Sequence, residues 1–521
     1  MSVYRRHHEV VQAIERTCRV AEWRAGDIDL WPLASQDLFQ EMFRNGGRET
    51  AQPRASFAIR AVSTLAVPAA NLWKSRHNNL SELVSRPHRA DAILLGDGVS
   101  LDMVDGSWRD RFGEPVVAAL ERQGLSTFVM QPGNLTRLPW LRPTYPANRV
   151  AAGAAIIAAL AQGPKPQLPD HADVIGLVED AGGPASSLSA ERLKRRAGVL
   201  AAQAAAFERI LRRVQPQVVF VVTYYAGLGH AMSLACRRRG VLCVDMQHCP
   251  YGGIHRAYRW STLPPSGYST LPGMFWTWTS RDAANIERWA PGNPWHRAIA
   301  GGHTQTADLA AGYGESMSQR VLKTIGDDGS FDREILVALQ PIGGKRAKWE
   351  ALANEIESSP SSWRWWIRRH PASTPAQDKD YARLLSLHRR GVVAGDPAQI
   401  PLPALLGRMD AVVSLASGAA AEAAMFDVPA FFLDEEALDT FPDLIAGGAA
   451  IFIGSNSLIS EIAARAAPSC RRVVTQPSIE QTLDEIHHFA EDYSILCRET
   501  RRKQVNRVGG LVGEFEPPGA V

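Results

Sequence analysis

The chain has no run of about 18 uncharged apolar residues, the length a membrane-spanning helix requires. Its start, Met1 to Val20, is charged and holds no apolar stretch of signal-peptide length. A soluble, cytoplasmic protein is therefore expected, touching at most the inner face of the cell membrane. Neither sign of charge dominates: 57 Lys and Arg against 54 Asp and Glu leave a formal net charge of +3, which gives no reason to propose a nucleic-acid partner. Cysteine is sparse. The six residues, Cys18, Cys236, Cys243, Cys249, Cys470 and Cys497, form no CxxC pair and have no His-rich motif beside them. That argues against a zinc site or a disulfide framework and fits a reducing compartment. No internal repeat appears at solenoid spacing.

What is present is an ordinary globular composition, 45% hydrophobic and 21% charged, over 521 residues. That length exceeds a single core, so two or three domains are expected. Two Arg-rich patches, Arg192 to Arg196 and Arg237 to Arg239, read as solvated helix faces, with contact to anionic lipid headgroups or an anionic substrate as the alternative.

The first section, roughly Met1 to Ala90, reads as mostly helical. Ala92 to Gly96 is a buried strand, followed by a polar loop and a helix from about Pro115 to Gln123. Leu193, Leu200, Phe207 and Leu211 recur at helical spacing within Ala190 to Val214, with Ser189 as N-cap and Pro216 as the stop. Val218 to Val222 is an apolar, β-branched run expected of a strand covered on both faces. A helix, Gly229 to Arg239, and a strand, Val241 to Met246, follow. After a turn-rich boundary near Gly312 to Asp332 a fresh series begins. Its strands are Glu334 to Leu339, Trp363 to Ile367, Asp410 to Val413 and Pro429 to Leu433. Helices are expected near Lys348 to Ile356, from Thr374-Pro375, and up to Met425. The pattern predicts two parallel α/β halves, 1–315 and 330–508, with a frayed tail over 509–521.

Ligands of open α/β sheets bind outside the carboxyl ends of the strands, so polar residues there are the candidates. Arg368-Arg369-His370-Pro371 suits phosphate through charged hydrogen bonds; a basic surface turn is the other reading. Ser414 to Glu422 is rich in small residues. Ser417 and Gly418 would offer backbone N–H groups and Glu422 a carboxylate for a ribose; close helix–sheet packing also explains the alanines. It is not a Walker A loop, because the Gly-Lys-Ser/Thr end is absent. Asp245-Met246-Gln247-His248-Cys249, continuing to His255, gathers an acid and two histidines; either Asp245 or His248 would serve as a general base. No oxyanion hole is in view for a Cys249 nucleophile.

In this order the segments resemble bacterial surface-polysaccharide glycosyltransferases of the GT-B type. Asp29-Leu30-Trp31-Pro32-Leu33 is similar to their early "I/L-W-P" pattern. Val244 to His248 with Tyr258 is similar to their "D-x-Q-H-G … Y" loop, with Cys249 in the place of glycine. Leu402 to Leu406, Met409 to Val413 and Ser414 to Pro429 resemble the "LP-x-LL … D-x-V-V-S-x-x-S-x-x-x-x-E-A-x-x-x-x-x-P" run of donor domains, the most specific match. His370-Pro371 resembles the His-Pro motif of sialyltransferases and capsule Kdo transferases, which use CMP-sugars, and of teichoic-acid polymerases, which use CDP-glycerol. The acidic sialyltransferase motif has a counterpart in Asp327-Asp328-Gly329, but within the linker; Asp97-Gly98, after a strand, is a fragment of it. The retaining Glu-x7-Glu pattern is missing, since Ala430 stands where the second Glu would be, and no DxD metal motif is seen.

The resemblance implies an α/β fold of two Rossmann-like domains facing a cleft and a metal-independent transfer of sugar from a nucleotide donor, itself a substrate and not a cofactor. The acceptor would be a hydroxyl of a surface polysaccharide, such as capsule or lipopolysaccharide, or of a glycolipid. The second half would bind the nucleotide through Arg369, His370, Pro371, Ser414, Ser417, Gly418 and Glu422. The first half would bind the acceptor, with Gln247 and His255 as contacts and His248 or Asp245 as base. Two rivals are a nucleotide-sugar epimerase on the same fold and a non-catalytic polysaccharide-assembly protein, the latter favoured by Cys249.

Overall fold

The computed structural model describes residues 2–46, 87–104, 106–132, 139–160, 163–250, 254–309, 331–340, 344–370, 373, 377–387, 392–395, 401–454, 457–466 and 475–512. Pro371, Thr374-Pro375, Asp327-Asp328-Gly329 and Cys470 lie outside them.

Two parallel sheets carry the chain. The first holds Ala92–Leu95 (β1), Thr127–Gln131 (β2), Thr144–Pro146 (β3), Val218–Val222 (β4), Leu242–Met246 (β5), Met274–Thr277 (β6) and Arg297–Ala300 (β7). The second holds Arg333–Ala338 (β8), Trp363–Arg368 (β9), Val392–Gly395 (β10), Ala411–Ser414 (β11), Ala430–Phe432 (β12) and Ala450–Phe452 (β13). The strand orders are β7-β6-β5-β4-β1-β2-β3 and β10-β9-β8-β11-β12-β13. Every pairing in both sheets is parallel. Parallel strands need crossover connections and are covered on both faces, which is why all of Val218 to Val222 are buried. The expected architecture, α/β with two Rossmann-like halves facing a cleft, is the one found.

In each sheet the chain first builds outward one way and then returns to the other side of its first strand. The order therefore reverses between β1 and β4, and between β8 and β11. Strand ends splay at such points and leave a crevice. In the second half Gln340 spans it: its side-chain amide donates to the Ala416 carbonyl and accepts from the Ala416 N–H, both at 2.7 Å. In the first half Asp97 and Thr223 meet there, as described below.

Helices cover the sheets: Val3–Thr17 (α1), Trp31–Gly46 (α2), Gly113–Arg122 (α3), Asn148–Leu160 (α4), Ala190–Val214 (α5), Gly227–Arg239 (α6), Arg346–Ser358 (α7), Ala419–Met425 (α8) and Ile479–Val512 (α9). On α5, Leu193, Leu200, Phe207 and Leu211 are buried as their spacing requires. Ser189 occupies its N-cap, but its hydroxyl makes no capping bond. The helix ends at Gln215, in the left-handed region at φ 57°, just before Pro216. Trp31, the tryptophan of the early motif, is fully buried, and its indole N–H donates to Glu15 at 2.8 Å. That motif is a packing element.

The last helix departs from expectation twice. It runs through Gly509 to Val512, where a frayed tail was expected. It also packs on the first sheet: Ile479, Leu483, Ile486, Phe489 and Tyr493 share a core with Leu242, Val244, Met274 and Trp276. The chain thus crosses back, and its C-terminal helix ties the halves together. The basic patch in the last turn of α6 is also tied inward. Arg237 lies 3.1 Å over the Trp295 ring, and Arg238 pairs with Asp27 at 2.8 Å and Glu208 at 3.2 Å. No helix among the described residues is long and apolar enough to cross a membrane.

The crossing makes a prediction. Leu483 is fully buried between α9 and the first sheet. Leu483→Ala should lower unfolding free energy by about 2–5 kcal/mol, the usual cost of a leucine-sized cavity. Urea denaturation checks it; a loss below about 1 kcal/mol would mean that α9 is only loosely docked.

Candidate functional site

The site is built from the carboxyl end of β5 outward. Asp245 is fully buried, and burying a carboxylate is costly unless its oxygens are hydrogen-bonded. They are: Oδ1 accepts the Tyr224 N–H at 2.9 Å and Oδ2 accepts the Tyr258 hydroxyl at 2.8 Å. The motif's Asp and Tyr, thirteen positions apart, are thus one hydrogen-bonded pair. Gln247 is likewise committed. Its Oε1 accepts the Trp278 N–H at 2.6 Å, its Nε2 donates to the Cys249 carbonyl at 3.0 Å, and its own carbonyl accepts the Trp278 indole at 2.8 Å. The sequence suggests Asp245 as a base and Gln247 as a substrate contact. In the structure both sit behind the cleft surface and shape the loop, because their polar atoms are already satisfied inside the protein.

That loop presents His248. The imidazole is half-buried, with Nε2 3.0 Å from the Tyr225 hydroxyl. Burial pushes its pKa down to about 4, against the opposing pull of the Asp97 carboxylate. At pH 7 it is therefore neutral and able to take a proton. Arg256 lies 5.2 Å over Tyr225 and 4.2 Å over Phe39, and donates to Gln36 at 3.0 Å, so α2 buttresses the histidine's partner. His255 accepts the Ala257 N–H at 3.2 Å, with its Nε2 3.8 Å from Cys249 Sγ; burial holds it neutral too. Burial also pushes the Cys249 thiol up to about 12, so it is no thiolate nucleophile at pH 7. Cys249 is not among the residues at positive φ, so its backbone does not demand the glycine of the motif.

Asp97 ends β1 at the switch point. Its Oδ1 accepts the N–H groups of Val99 at 2.8 Å and Ser100 at 2.7 Å; its Oδ2 accepts the hydroxyls of Ser100 at 2.8 Å and Thr223 at 3.3 Å. Thr223 has φ 66°, a rare and strained conformation for a β-branched residue. The strain lies directly after β4, where Tyr224 and Tyr225 are aimed at Asp245 and His248.

Across the cleft, β9 ends in Arg368, Arg369 and His370. Arg369 is partly exposed and pairs with Asp378 at 3.4 Å. Arg368 is buried, and its charge acts on both His370 and Glu422. Of the two, Arg368 is the buried one, and Arg369 is held by Asp378. His370 is pushed down to about 4, by burial first and then by Arg368 and Arg111. After β11, Ser414 Oγ accepts the Ser417 N–H at 3.2 Å and Ser417 Oγ accepts the Ala419 N–H at 3.3 Å. The Ser417 N–H is thus bonded within the turn and does not point outward, as the sequence suggests. Gly418 touches the opposite half: a Cβ built there would lie 2.9 Å from Pro250 Cδ. The His248 loop and the Ser417-Gly418 turn meet at this glycine.

Glu422, on α8, is the centre of the contact. Its Oε2 lies 3.5 Å from His303 Nε2, and its side chain is 15% exposed. His303 Nδ1 accepts the Thr306 N–H at 3.1 Å, which leaves the proton on Nε2, facing Glu422. Burial raises Glu422 to about 7; Arg111 and Arg368 oppose this and Asp102 adds to it. Arg111 pairs with Asp102 at 3.2 Å, and Gln305 also donates to Asp102. The charges of two buried guanidiniums from opposite halves, Arg111 and Arg368, thus act on the same carboxyl. Among the described residues no group of three or more His, Cys, Asp or Glu could hold a metal ion.

Sequence reasoning did not find Thr223, Tyr225, Asp102, Arg111 or His303. A signal exists for one of them: Gly301-Gly302-His303-Thr304 follows a strand directly.

No family model matches the chain, and no curated protein matches it by sequence. Solved structures similar to it include the UDP-GlcNAc 2-epimerase of Methanocaldococcus jannaschii, at 13% identity and TM-score 0.47, covering 76% of this chain and 99% of that one. The Neisseria meningitidis UDP-GlcNAc 2-epimerase bound to UDP-GlcNAc is 14% identical at TM-score 0.41, covering 78% and 94%. The glycosyltransferase VinC in complex with dTDP is 14% identical at TM-score 0.40, covering 77% and 100%.

Glu422 has a testable pH signature. Its folded pKa of about 7 lies above its ordinary 4.5, so folding favours the protonated form. It costs nothing below the unfolded pKa, and the penalty grows as pH rises from about 4.5 to 7. Glu422→Gln should therefore stabilise the protein by about 1–3 kcal/mol at pH 8 and leave it unchanged at pH 4. Denaturation of both proteins at the two pH values checks this; an equal effect at both would remove the buried-acid account.

Proposed function

We propose that the chain is a glycosyltransferase that moves a sugar from a nucleotide donor to a hydroxyl of a surface-polysaccharide or glycolipid acceptor. The observation that carries this reading is the contact between the halves, Glu422 3.5 Å from His303 and Gly418 against Pro250, where the charges of Arg111 and Arg368 act on Glu422 and His370 and beside which the first half's loop presents a neutral His248. The donor phosphates would lie against the two guanidiniums and His370, with Glu422 on a ribose hydroxyl. As the bond from the anomeric carbon to phosphate breaks, its electron pair goes to the phosphate oxygen. Arg111 and Arg368 would stabilise that charge in a cleft with little water, where such stabilisation is strongest. The acceptor oxygen bonds to the same carbon and gives its proton to the His248 imidazole, with the Tyr225 hydroxyl 3.0 Å from Nε2 as its partner. The Asp97 carboxylate favours the imidazolium so formed. Asp245 and Gln247 would act only by holding the loop.

The same cations and carboxyl would also hold a nucleotide sugar for epimerisation, which needs no acceptor. The ordinary backbone of Cys249 removes the ground for reading the site as degenerate. A cytidine donor rests on the His370-Pro371 resemblance.

Two experiments test the reading. CMP or CDP should raise the melting temperature more than UDP, GDP or dTDP, because a ligand of the native state stabilises it by mass action. His248→Ala should abolish transfer with nucleotide binding intact. Full turnover in that variant would remove His248 as base, and conversion of a nucleotide sugar with no acceptor present would replace transfer by epimerisation.

His370→Ala should weaken nucleotide binding by about 1.5–3 kcal/mol, the size of a hydrogen bond to a charged group, or roughly tenfold to hundredfold in affinity. Calorimetry on wild type and variant, with circular dichroism to check folding, measures it. Unchanged affinity in a folded variant would reduce the Arg-Arg-His-Pro segment to a basic turn.

A further inference from the structure

The geometry points to a second ligand site, on the flank of the first half: a pocket between α4 and α5 that takes the phosphate group of an organic phosphoester. A cavity of about 480 Å³ opens beside the edge strand β3, where Arg209 and Arg213 of α5 face Tyr145 and Arg149 at the start of α4. Val150 and Ile210 are buried and form an apolar part of the wall. None of the cleft residues lines it, and no carboxylate does among the described residues. The volume is within the range of small-molecule sites, about 300–1,000 Å³.

Arg209 and Arg213 stand four positions apart on one helix, so their side chains project from the same face. Like charges at that spacing repel, and Arg149 adds a third cation from the facing helix. Several arginines of this half are ion-paired: Arg19 with Asp170, Arg109 with Asp308, Arg142 with Glu114 and Glu121, and Arg238 with Asp27 and Glu208. Among the described residues Arg209 and Arg213 have no ion-pair partner. The charges of Arg149 and Arg213 both reach the Tyr145 phenol and oppose the upward push of burial on it, so the two cations flank that hydroxyl. A guanidinium fork matches phosphate oxygens two at a time. The tyrosine and the apolar wall offer a surface to the carbon skeleton attached to the phosphate. An inorganic anion would leave that surface unused, which favours a phosphoester such as a glycerophosphate.

That chemistry has two sources, an anionic phospholipid headgroup or a soluble organic phosphate. The inference does not depend on what the cleft does. The test uses the full chain and an Arg209→Gln/Arg213→Gln double variant, both positions being exposed and outside the core; Arg213→Gln alone serves if the double variant does not fold. Calorimetry with sn-glycerol 3-phosphate and with inorganic phosphate reads the soluble arm. Co-sedimentation with vesicles of phosphatidylcholine, with and without phosphatidylglycerol, reads the lipid arm. Wild type should bind glycerol 3-phosphate, and more tightly than inorganic phosphate, with at least about a tenfold loss in the variant, as two charged hydrogen-bonding groups warrant. Binding only to phosphatidylglycerol vesicles, lost in the variant and competed by glycerol 3-phosphate, supports the site with a lipid source. Binding of the soluble probe without vesicle binding supports it with a soluble source. Equal binding by wild type and variant, or no binding of either probe by wild type, overturns it. A His370→Ala variant should bind glycerol 3-phosphate as wild type does, which keeps this test separate from that of the cleft.

Discussion

A carboxylate removed from water stays ionised inside a protein only where hydrogen-bond donors replace the lost hydration. Asp245 meets that condition with the Tyr224 N–H and the Tyr258 hydroxyl, and much of the first half's cleft wall follows from those two bonds. The Tyr224 bond fixes the chain just after the strained Thr223, and Tyr225, next in line, then reaches His248. The Tyr258 bond fixes the far end of the loop, where the Trp289 indole donates to the Tyr258 carbonyl at 3.0 Å and His255 lies 4.9 Å from the Tyr258 ring. Gln247 pins the middle. His248 thus rests on a frame whose polar groups are nearly all spent on the protein itself, and it is the group left to face the cleft.

The two halves treat their switch points alike. Each closes the gap between its first strand and the strand that returns beside it with a polar side chain, Asp97 to the Thr223 hydroxyl in one and Gln340 to the Ala416 backbone in the other. The carboxyl ends of both sheets are thereby held facing one another, and residues distant in sequence become neighbours. Gly418 lies against Pro250, and Glu422 against His303. Absence of a side chain at 418 is a condition of that contact: a methyl group would meet the proline ring, which has little freedom to yield.

The fold was legible where burial leaves a local mark. Val218 to Val222 is an unbroken β-branched run because β4 is covered on both faces. Met274 to Thr277 and Arg297 to Ala300 are four residues each, without such a run, and no local pattern separates them from buried helix or loop. The return of α9 to the first sheet could not be read at all, since an amphipathic helix records that it has a partner and not which one. His248, His370 and Glu422 were singled out because they follow strands, and the structure places the two histidines just after β5 and β9 and Glu422 on α8. Asp245 and Gln247 spend their polar atoms inside the protein, which could not be read, because sequence does not say whether a polar side chain at a strand end faces solvent or the interior. Asp102 lies in the hairpin of Leu101–Val104 and Ser107–Asp110 and Arg111 directly follows it; no local pattern links either to Glu422.

Glu422 is where the two halves, the charge and the proposed ligand become one problem. Its carboxyl is pulled toward ionisation by Arg111 and Arg368 and toward protonation by burial and Asp102, and the balance falls near neutrality. A phosphate lodged between those guanidiniums would take up part of the cationic field now acting on the carboxyl. Glu422 would then hold its proton more firmly, and by linkage a protonated Glu422 would favour the anion. The same proton decides what His303 meets across the cleft, since its Nε2–H faces either a carboxylate or a neutral acid. Anion binding, the charge of Glu422 and the contact between the halves therefore cannot vary independently. A carboxyl at this position titrates where an amide would not, so its proton is the one variable that the charges of both halves act on together.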